Sequence, residues 1–193
     1  MSSWRTKGSS TKDLEQALRF KFLLHNVFEE KDDVLARGLA STPTDEAIQL
    51  GTQFVDKIEA AYISDVSIRR VSDEVGYGLF AEEVIESGSY VGEYTGIVRK
   101  NDVRRYLEPL NNYCYEYPVP DSLGRSFVID ATQGNLTRFI NHSFTPNLRP
   151  VHVYHGGFYH LIFLAIKRIE LGNQLFYDYG KNYWYLRGVP KEF

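Results

Sequence analysis

Cysteine is nearly absent. Cys114 is the single one in 193 residues, which excludes an intrachain disulfide and a multi-cysteine zinc site. Its thiol is expected to serve as a small buried hydrophobe in a reducing compartment. Positive charge is also in short supply: 22 Lys and Arg stand against 25 Asp and Glu, a formal net charge of −3. That balance gives no electrostatic reason to contact DNA or RNA directly, and a basic polypeptide is the better partner. Long apolar runs are missing as well. No stretch approaches the ~20 residues that span a bilayer, and the polar start from Met1 to Lys12 lacks the apolar centre of a secretory signal. The expectation is a soluble protein without membrane association, although a start rich in Ser and Thr leaves a specialised export machine open. With 43% hydrophobic residues the chain can still bury a sizeable core, most simply one domain with a small appendage.

Residues 1–10 show no periodic pattern and read as a disordered tail. From Thr11, apolar residues fall on helical lines, Leu14, Leu18 and Phe22 on one and Leu24, Val27 and Phe28 on another, predicting a helix to about Glu30. Adding Phe20 and Leu23 makes the stripe wider than one face needs, which points to contact with the core and with a second subunit. After Gly38, the run Thr42-Pro43-Thr44-Asp45-Glu46 marks a second helix, with Pro in its first turn and acids at its positive end. Residues 11–65 therefore read as a helical hairpin and a candidate dimerisation element. At Val66 the period changes to alternation, and strands are predicted over 79–81, 90–98, 127–130, 158–165 and 174–179. A helix is expected over 101–109, while Pro118 and Pro120 mark an irregular loop before the turn at 121–124. The predicted class is α+β, with a mostly β domain over 66–184 and a C-terminal segment, 185–193.

Three stretches carry candidate chemistry. In Arg138-Phe139-Ile140-Asn141-His142-Ser143, polar side chains stand beside apolar ones, so their donors and acceptors must find partners away from water. A ligand would satisfy them, and so would the backbone of an Asn-His turn. Gly76-Tyr77-Gly78 lacks a third glycine and any strand-turn-helix context, which excludes a dinucleotide fingerprint and leaves a tight turn as its plain reading. Tyr177 and Tyr179 alternate with Asp178, so on a strand the two phenols share one face. His25, His142, His152, His155 and His160 show no metal-ligand spacing with a carboxylate; no metal is expected, and a metal-dependent hydrolase is set aside.

Taken in order, Gly76-Tyr77-Gly78-Leu79-Phe80-Ala81, Glu93-Tyr94-Thr95-Gly96, Arg138 to Ser143 and Leu175-Phe176-Tyr177-Asp178-Tyr179-Gly180 resemble the four motifs of the SET domain of protein-lysine methyltransferases. The resemblance runs from about Ser67 to Trp184. It implies small β-sheets in a β-clip, with the Asn-His signature and the closing motif forming a pseudoknot, an exception to unthreaded chains. It also implies S-adenosylmethionine as cofactor, bound by Gly76, Tyr77, Gly78, Tyr113, Arg138, Asn141, His142 and Tyr179, with Tyr183 or Trp184 stacked on adenine. By the same resemblance Tyr179 orients the amine and the methyl group, and Tyr94 and Tyr177 wall the lysine channel. Phe144 stands where many members carry a zinc-binding cysteine, Gln174 replaces a common acid, and no cysteine cluster flanks the domain. The zinc-bound pre-SET and post-SET elements are therefore not expected, and closure is expected to fall to residues 183–193 or to a second subunit of a homodimer. This minimal form is similar to bacterial SET proteins of chlamydia-like intracellular organisms. That narrower likeness implies a histone or bacterial histone-like substrate and a place in the bacterial cytoplasm, with export into a host cell and action in its nucleus as an extension. A SET fold retained as a non-catalytic interaction module is the alternative.

Overall fold

The computed structural model describes residues 4–5, 10–31, 33–34, 42–101, 111–120, 124, 126–185 and 187–188. Four small sheets carry the fold. The first pairs β1 (Trp4–Arg5), β3 (Val66–Ser72) and β4 (Gly76–Ala81), with β3 in the middle. Trp4 lies opposite Ile68 and Arg5 opposite Ser67, which corrects the expectation of a disordered tail at those two residues.

The helical hairpin is the main correction. Ser10 caps α1 (Thr11–Leu18) by accepting from the Lys12 amide, and the helix stops at Arg19, whose φ of 53° is left-handed. The following residues are extended rather than helical, because their partners lie far away in sequence. The Leu23 amide donates to the Gly134 carbonyl, Thr95 Oγ1 to the Leu23 carbonyl, and β2 (Val27–Phe28) pairs in parallel with β6 (Ile97–Lys100). Phe20 and Leu23 are buried in the chain's own core, Phe20 meeting Phe139 edge-on at 5.7 Å, so the over-wide stripe is a core contact and loses those two residues as dimerisation contacts. Gly38 lies outside the described residues. The expected second helix divides into α2 (Asp45–Gln53), capped by Thr44 with Pro43 ahead of the cap, and α3 (Val55–Glu59). Gly51 lets α2 lie directly on the sheet: a Cβ there would meet the Tyr154 carbonyl oxygen at 2.1 Å. Ile58 and Phe54 close a small second core with Tyr90, Val153, Ile162 and Leu164.

The β region largely follows the alternation, with departures set by tertiary contacts. The predicted strand over 90–98 is two strands, β5 (Tyr90–Glu93) and β6, in different sheets. The chain crosses between them at Gly96, where a Cβ would come within 2.5 Å of the Asp130 carbonyl oxygen. The stretch read as an irregular loop is strand β7 (Cys114–Pro120), paired with β8 (Ser126–Asp130) at the outer edge of the sheet ordered β2-β6-β8-β7. Proline lacks an N–H, so it is tolerated on such an edge, and the register shifts between Tyr117 and Pro120. The helix expected over 101–109 lies outside the described residues apart from Asn101, and so does most of the 121–124 turn.

A long hairpin of β10 (Leu148–His155) and β11 (Phe158–Ala165) joins β5 in a third sheet. The fourth sheet is the smallest. It pairs β9 (Asn141–His142) in parallel with β12 (Phe176–Tyr177), so the Asn-His stretch and the closing motif lie side by side, as the expected pseudoknot requires. The core beneath it, including Leu79, Phe127, Ile129 and Phe163, is fully buried, each large side chain contributing roughly 1.5–3 kcal/mol of burial.

Candidate active site

Tyr179 is positioned by the β9/β12 pair. Its amide donates to His142 Nδ1 at 3.2 Å and its hydroxyl donates to the Ile140 carbonyl at 3.0 Å. His142 is fully buried between the rings of Phe144, Trp184 and Tyr179, at 4.7, 5.1 and 5.4 Å, so it serves as a ring-packed acceptor for the closing backbone. Asn141 Nδ2 donates to the Tyr77 carbonyl at 3.1 Å and ties this pair to the start of β4, where the sequence reads as a tight turn. Asn147 pins the other side: its side chain accepts from the Phe176 amide and donates to the Gln174 carbonyl, both at 2.8 Å.

Two cavities meet at the tyrosines. One, of about 230 Å³, is lined by Gly76, Tyr77, Tyr113, Arg138 and Asn141. The second, of about 560 Å³, runs along β7 and β8 past Cys114, Glu116 and Ser126 toward Lys181. Tyr177, Tyr179, Tyr183 and Asn112 line both. Tyr94 closes the floor of the smaller one, its hydroxyl donating to the Tyr113 carbonyl at 2.8 Å. The Tyr177 and Tyr179 rings stand 4.7 Å apart, and those of Tyr179 and Tyr183 stand 4.5 Å apart.

Burial pushes the pKa of the Tyr94, Tyr177 and Tyr179 phenols well above the ordinary tyrosine value, and neighbouring phenols add to it. All three are therefore neutral O–H groups at pH 7 and cannot serve as bases. Arg138 lies over the Tyr113 ring at 4.0 Å with its Nε buried and without a partner, and burial lowers its pKa. A buried guanidinium N–H lining a cleft calls for an anionic or carbonyl acceptor from a ligand. Cys114 is half-buried, and burial pushes its thiol up to about 12, so it is not a nucleophile at neutral pH.

The structure thus gathers Gly76, Tyr77, Tyr94, Tyr113 and Arg138 with Asn141, Tyr177, Tyr179 and Tyr183 around one cleft. Three expected residues do not line it. His142 acts from beneath, and Trp184 packs on His142 and stacks on Tyr179 with ring centres 6.3 Å apart. Gly78 packs under side chains of its own sheet, where a Cβ would come within 2.9 Å of Val71 Cγ2 and would also displace the flexible end of Gln174. Gly76, by contrast, needs its glycine for a φ of +77°. Sequence reasoning missed the polar frame around the second cavity. Asp130 accepts from Arg99 and Asn111, and its carboxyl is held below the usual range because hydrogen bonds from Thr132, Arg99 and Asn111 outweigh the opposing burial. Among the described residues no group of three His, Cys, Asp or Glu could hold a metal ion.

This site is that of a family already known: the SET-domain family profile matches residues 76–180, more than half of the chain, and the chain belongs to that family. It is 39% identical over 116 residues to the histone-lysine N-methyltransferase EZH2 of Chaetomium thermophilum, covering 56% of this chain and 8% of that protein. It is 33% identical over 120 residues to human histone-lysine N-methyltransferase EHMT1, covering 60% of this chain and 9% of that protein. The chain therefore spans under a tenth of the length of these relatives. Among solved structures, Chaetomium thermophilum polycomb repressive complex 2 bound to S-adenosylmethionine matches with a TM-score of 0.57 at 29% identity, over 72% of this chain and 19% of that one. The ATXR5 SET domain matches in fold with a TM-score of 0.65 at 18% identity, over 87% and 84% of the two chains.

Proposed function

We propose that the chain is an S-adenosylmethionine-dependent protein-lysine N-methyltransferase acting on a basic protein, a histone or a histone-like protein. The observation that carries this reading is that two adjoining cavities share Tyr177, Tyr179 and Tyr183 in their linings. One cavity suits the cofactor and the other suits the substrate chain, with the lysine passing between the phenols. The residues present fit the cofactor. Arg138 offers an unpartnered buried N–H suited to a carboxylate, and the Tyr183 ring, which lines the cleft, offers a stacking surface for a purine. Bound S-adenosylmethionine supplies an electrophilic methyl group on a sulfonium centre.

The protein's own contribution is alignment and exclusion of water. Tyr94, Tyr177 and Tyr179 form a narrow aromatic wall that holds the amine in line and keeps solvent away from the reacting atoms. The Tyr179 hydroxyl, fixed by its bond to Ile140, keeps oxygen lone pairs free to accept from the amine N–H. Since the phenols stay protonated, the lysine must lose its proton to solvent through the larger groove before transfer. Aromatic faces also suit the methylammonium product. The chain's similarity to histone-lysine methyltransferases supports the substrate class.

Incubation with S-adenosylmethionine, mixed histones and bacterial histone-like proteins, followed by mass spectrometry of methyl-lysine, tests the proposal. Methylation of any of them supports it. Neither methylation nor calorimetric binding of S-adenosylhomocysteine would leave the non-catalytic interaction module as the reading. A homodimer is the accompanying proposal for assembly, resting now on the exposed Leu24 and Val27, and a mass of 22.3 kDa by light scattering ends it. Action in a bacterial cytoplasm, or in a host nucleus after export, is proposed on the resemblance alone and is read by cell fractionation.

A further inference from the structure

Helix α4 (Lys181–Tyr185) roofs the meeting point of the two cavities, yet it has five residues and none of them is buried. A helix that short is not stable in water by itself, because nucleation costs more than one turn returns. On its inner side Tyr183 and Trp184 rest on Tyr179 and His142. Across the cleft, among the described residues, the hydrogen bonds from 181–188 to the segment leading into β7 all come from Arg187. Its Nη2 donates to the Asn111 carbonyl at 2.7 Å and its Nε to Asn112 Oδ1 at 3.0 Å. Its Nη1 donates to the Tyr183 carbonyl at 2.9 Å, and its guanidinium lies over the Tyr183 ring at 4.0 Å.

The far end of this clamp is anchored. Asn111 donates to Asp130 Oδ1 at 2.9 Å and to Thr132 Oγ1 at 3.0 Å, and accepts from the Tyr113 amide at 2.9 Å. Asp130 in turn is held by Arg99 from β6 at 2.8 Å. One planar fork therefore spans the gap from the closing helix to the β6/β8 sheet and fixes Asn112 and Tyr183, which line both cavities.

We propose that Arg187 is a positioning residue that latches α4 over the cleft. The inference rests on the methyltransferase reading for what the latch encloses, but the latch itself is a property of this chain. Lysine cannot replace it, since an ammonium lacks the fork that meets three acceptors while stacking on a ring.

The test compares the full chain with Arg187→Lys and Arg187→Ala. Hydrogen exchange over 181–188 without ligand reads the latch, and KM against kcat for S-adenosylmethionine reads its effect on the site. In Arg187→Lys the segment should lose protection, and KM for the cofactor should rise about tenfold or more, as expected for lost charge-assisted hydrogen bonds. Because Arg187 touches no reacting atom, kcat at saturating cofactor should stay within about twofold, and Arg187→Ala should show the same pattern more strongly. Wild-type protection and wild-type KM in Arg187→Lys overturn the proposal, as does free exchange of 181–188 in the parent. If the parent neither binds S-adenosylhomocysteine nor turns over, the methyltransferase reading fails while the exchange experiment still decides the latch.

Discussion

Tyr179 and Tyr183 face the same two cavities but are held by opposite means. Tyr179 sits two residues past the parallel β9/β12 pair, with its amide and hydroxyl both bonded and a fully buried histidine beneath it. Tyr183 sits on an exposed single turn tied down by ring contacts and one half-buried arginine. Chemistry that tolerates little misplacement belongs on the first wall, whereas entry and release need the second, because low local stability is what allows an element to open. The N-terminal arm extends the contrast. Phe20 and Leu23 are part of the rigid wall even though they lie far from it in sequence.

The sharpest way to break this comparison is on the rigid side. Phe20→Ala should cost about 3 kcal/mol of stability by urea unfolding, since it empties a core site against Phe139 and Arg138. A surface-like cost below about 0.5 kcal/mol would detach the arm from the core. Tyr179→Phe should lower turnover ~10²-fold or more while calorimetric cofactor binding survives, because it removes the preorganised acceptor for the amine, by analogy with loss of a preorganised hydrogen-bonding group elsewhere. Full activity in that variant removes Tyr179 from the mechanism.

Smaller effects sharpen the picture. Tyr177→Phe keeps the first transfer but frees room beside the amine, so intact-mass analysis of one peptide should show the product moving from mono- toward di- and trimethyl-lysine. An unchanged distribution places the gate elsewhere. The smallest effect is one of pH. The buried Glu93 accepts from both Asn26 and His160; burial opposes the charged His160, yet the carboxylate 2.9 Å away raises its pKa. A raised folded pKa means this contribution is fully present below the unfolded value of about 6.5 and is lost as pH rises through the folded pKa. Unfolding midpoints from pH 5 to 9 should decline more in the parent than in His160→Gln.

Part of the rigid wall was legible because its signals are local: alternation marked β8, β11 and the second half of β4, whose first half reads as a glycine turn, while Asn and His inside an apolar run marked residues 141–142 as a ligand site or a turn and not as the strand β9. What was not legible has non-local causes. Residues 20–28 fit a helical period, but the amides of Leu23 and Val27 donate to Gly134 and Gly96, which no local pattern encodes. The strand β7 hid behind two prolines that an outer edge tolerates. Arg187 gave no signal at all, since its acceptors are two backbone carbonyls and an Asn side chain.

The parallel register of Phe176 with Asn141, and of Tyr177 with His142, also has a consequence for how the molecule comes into being. Such a pairing closes a long loop before it gains any contact, and β1 with β3 and β2 with β6 impose the same delay on earlier residues. Folding dominated by distant pairings is slow, in the range of milliseconds to seconds. During synthesis, residues up to His142 emerge with an open, unpaired strand until Phe176 and Tyr177 leave the ribosome. A nascent chain is thus chemically silent and exposes a sticky edge to other chains for as long as the ribosome takes to write the intervening residues.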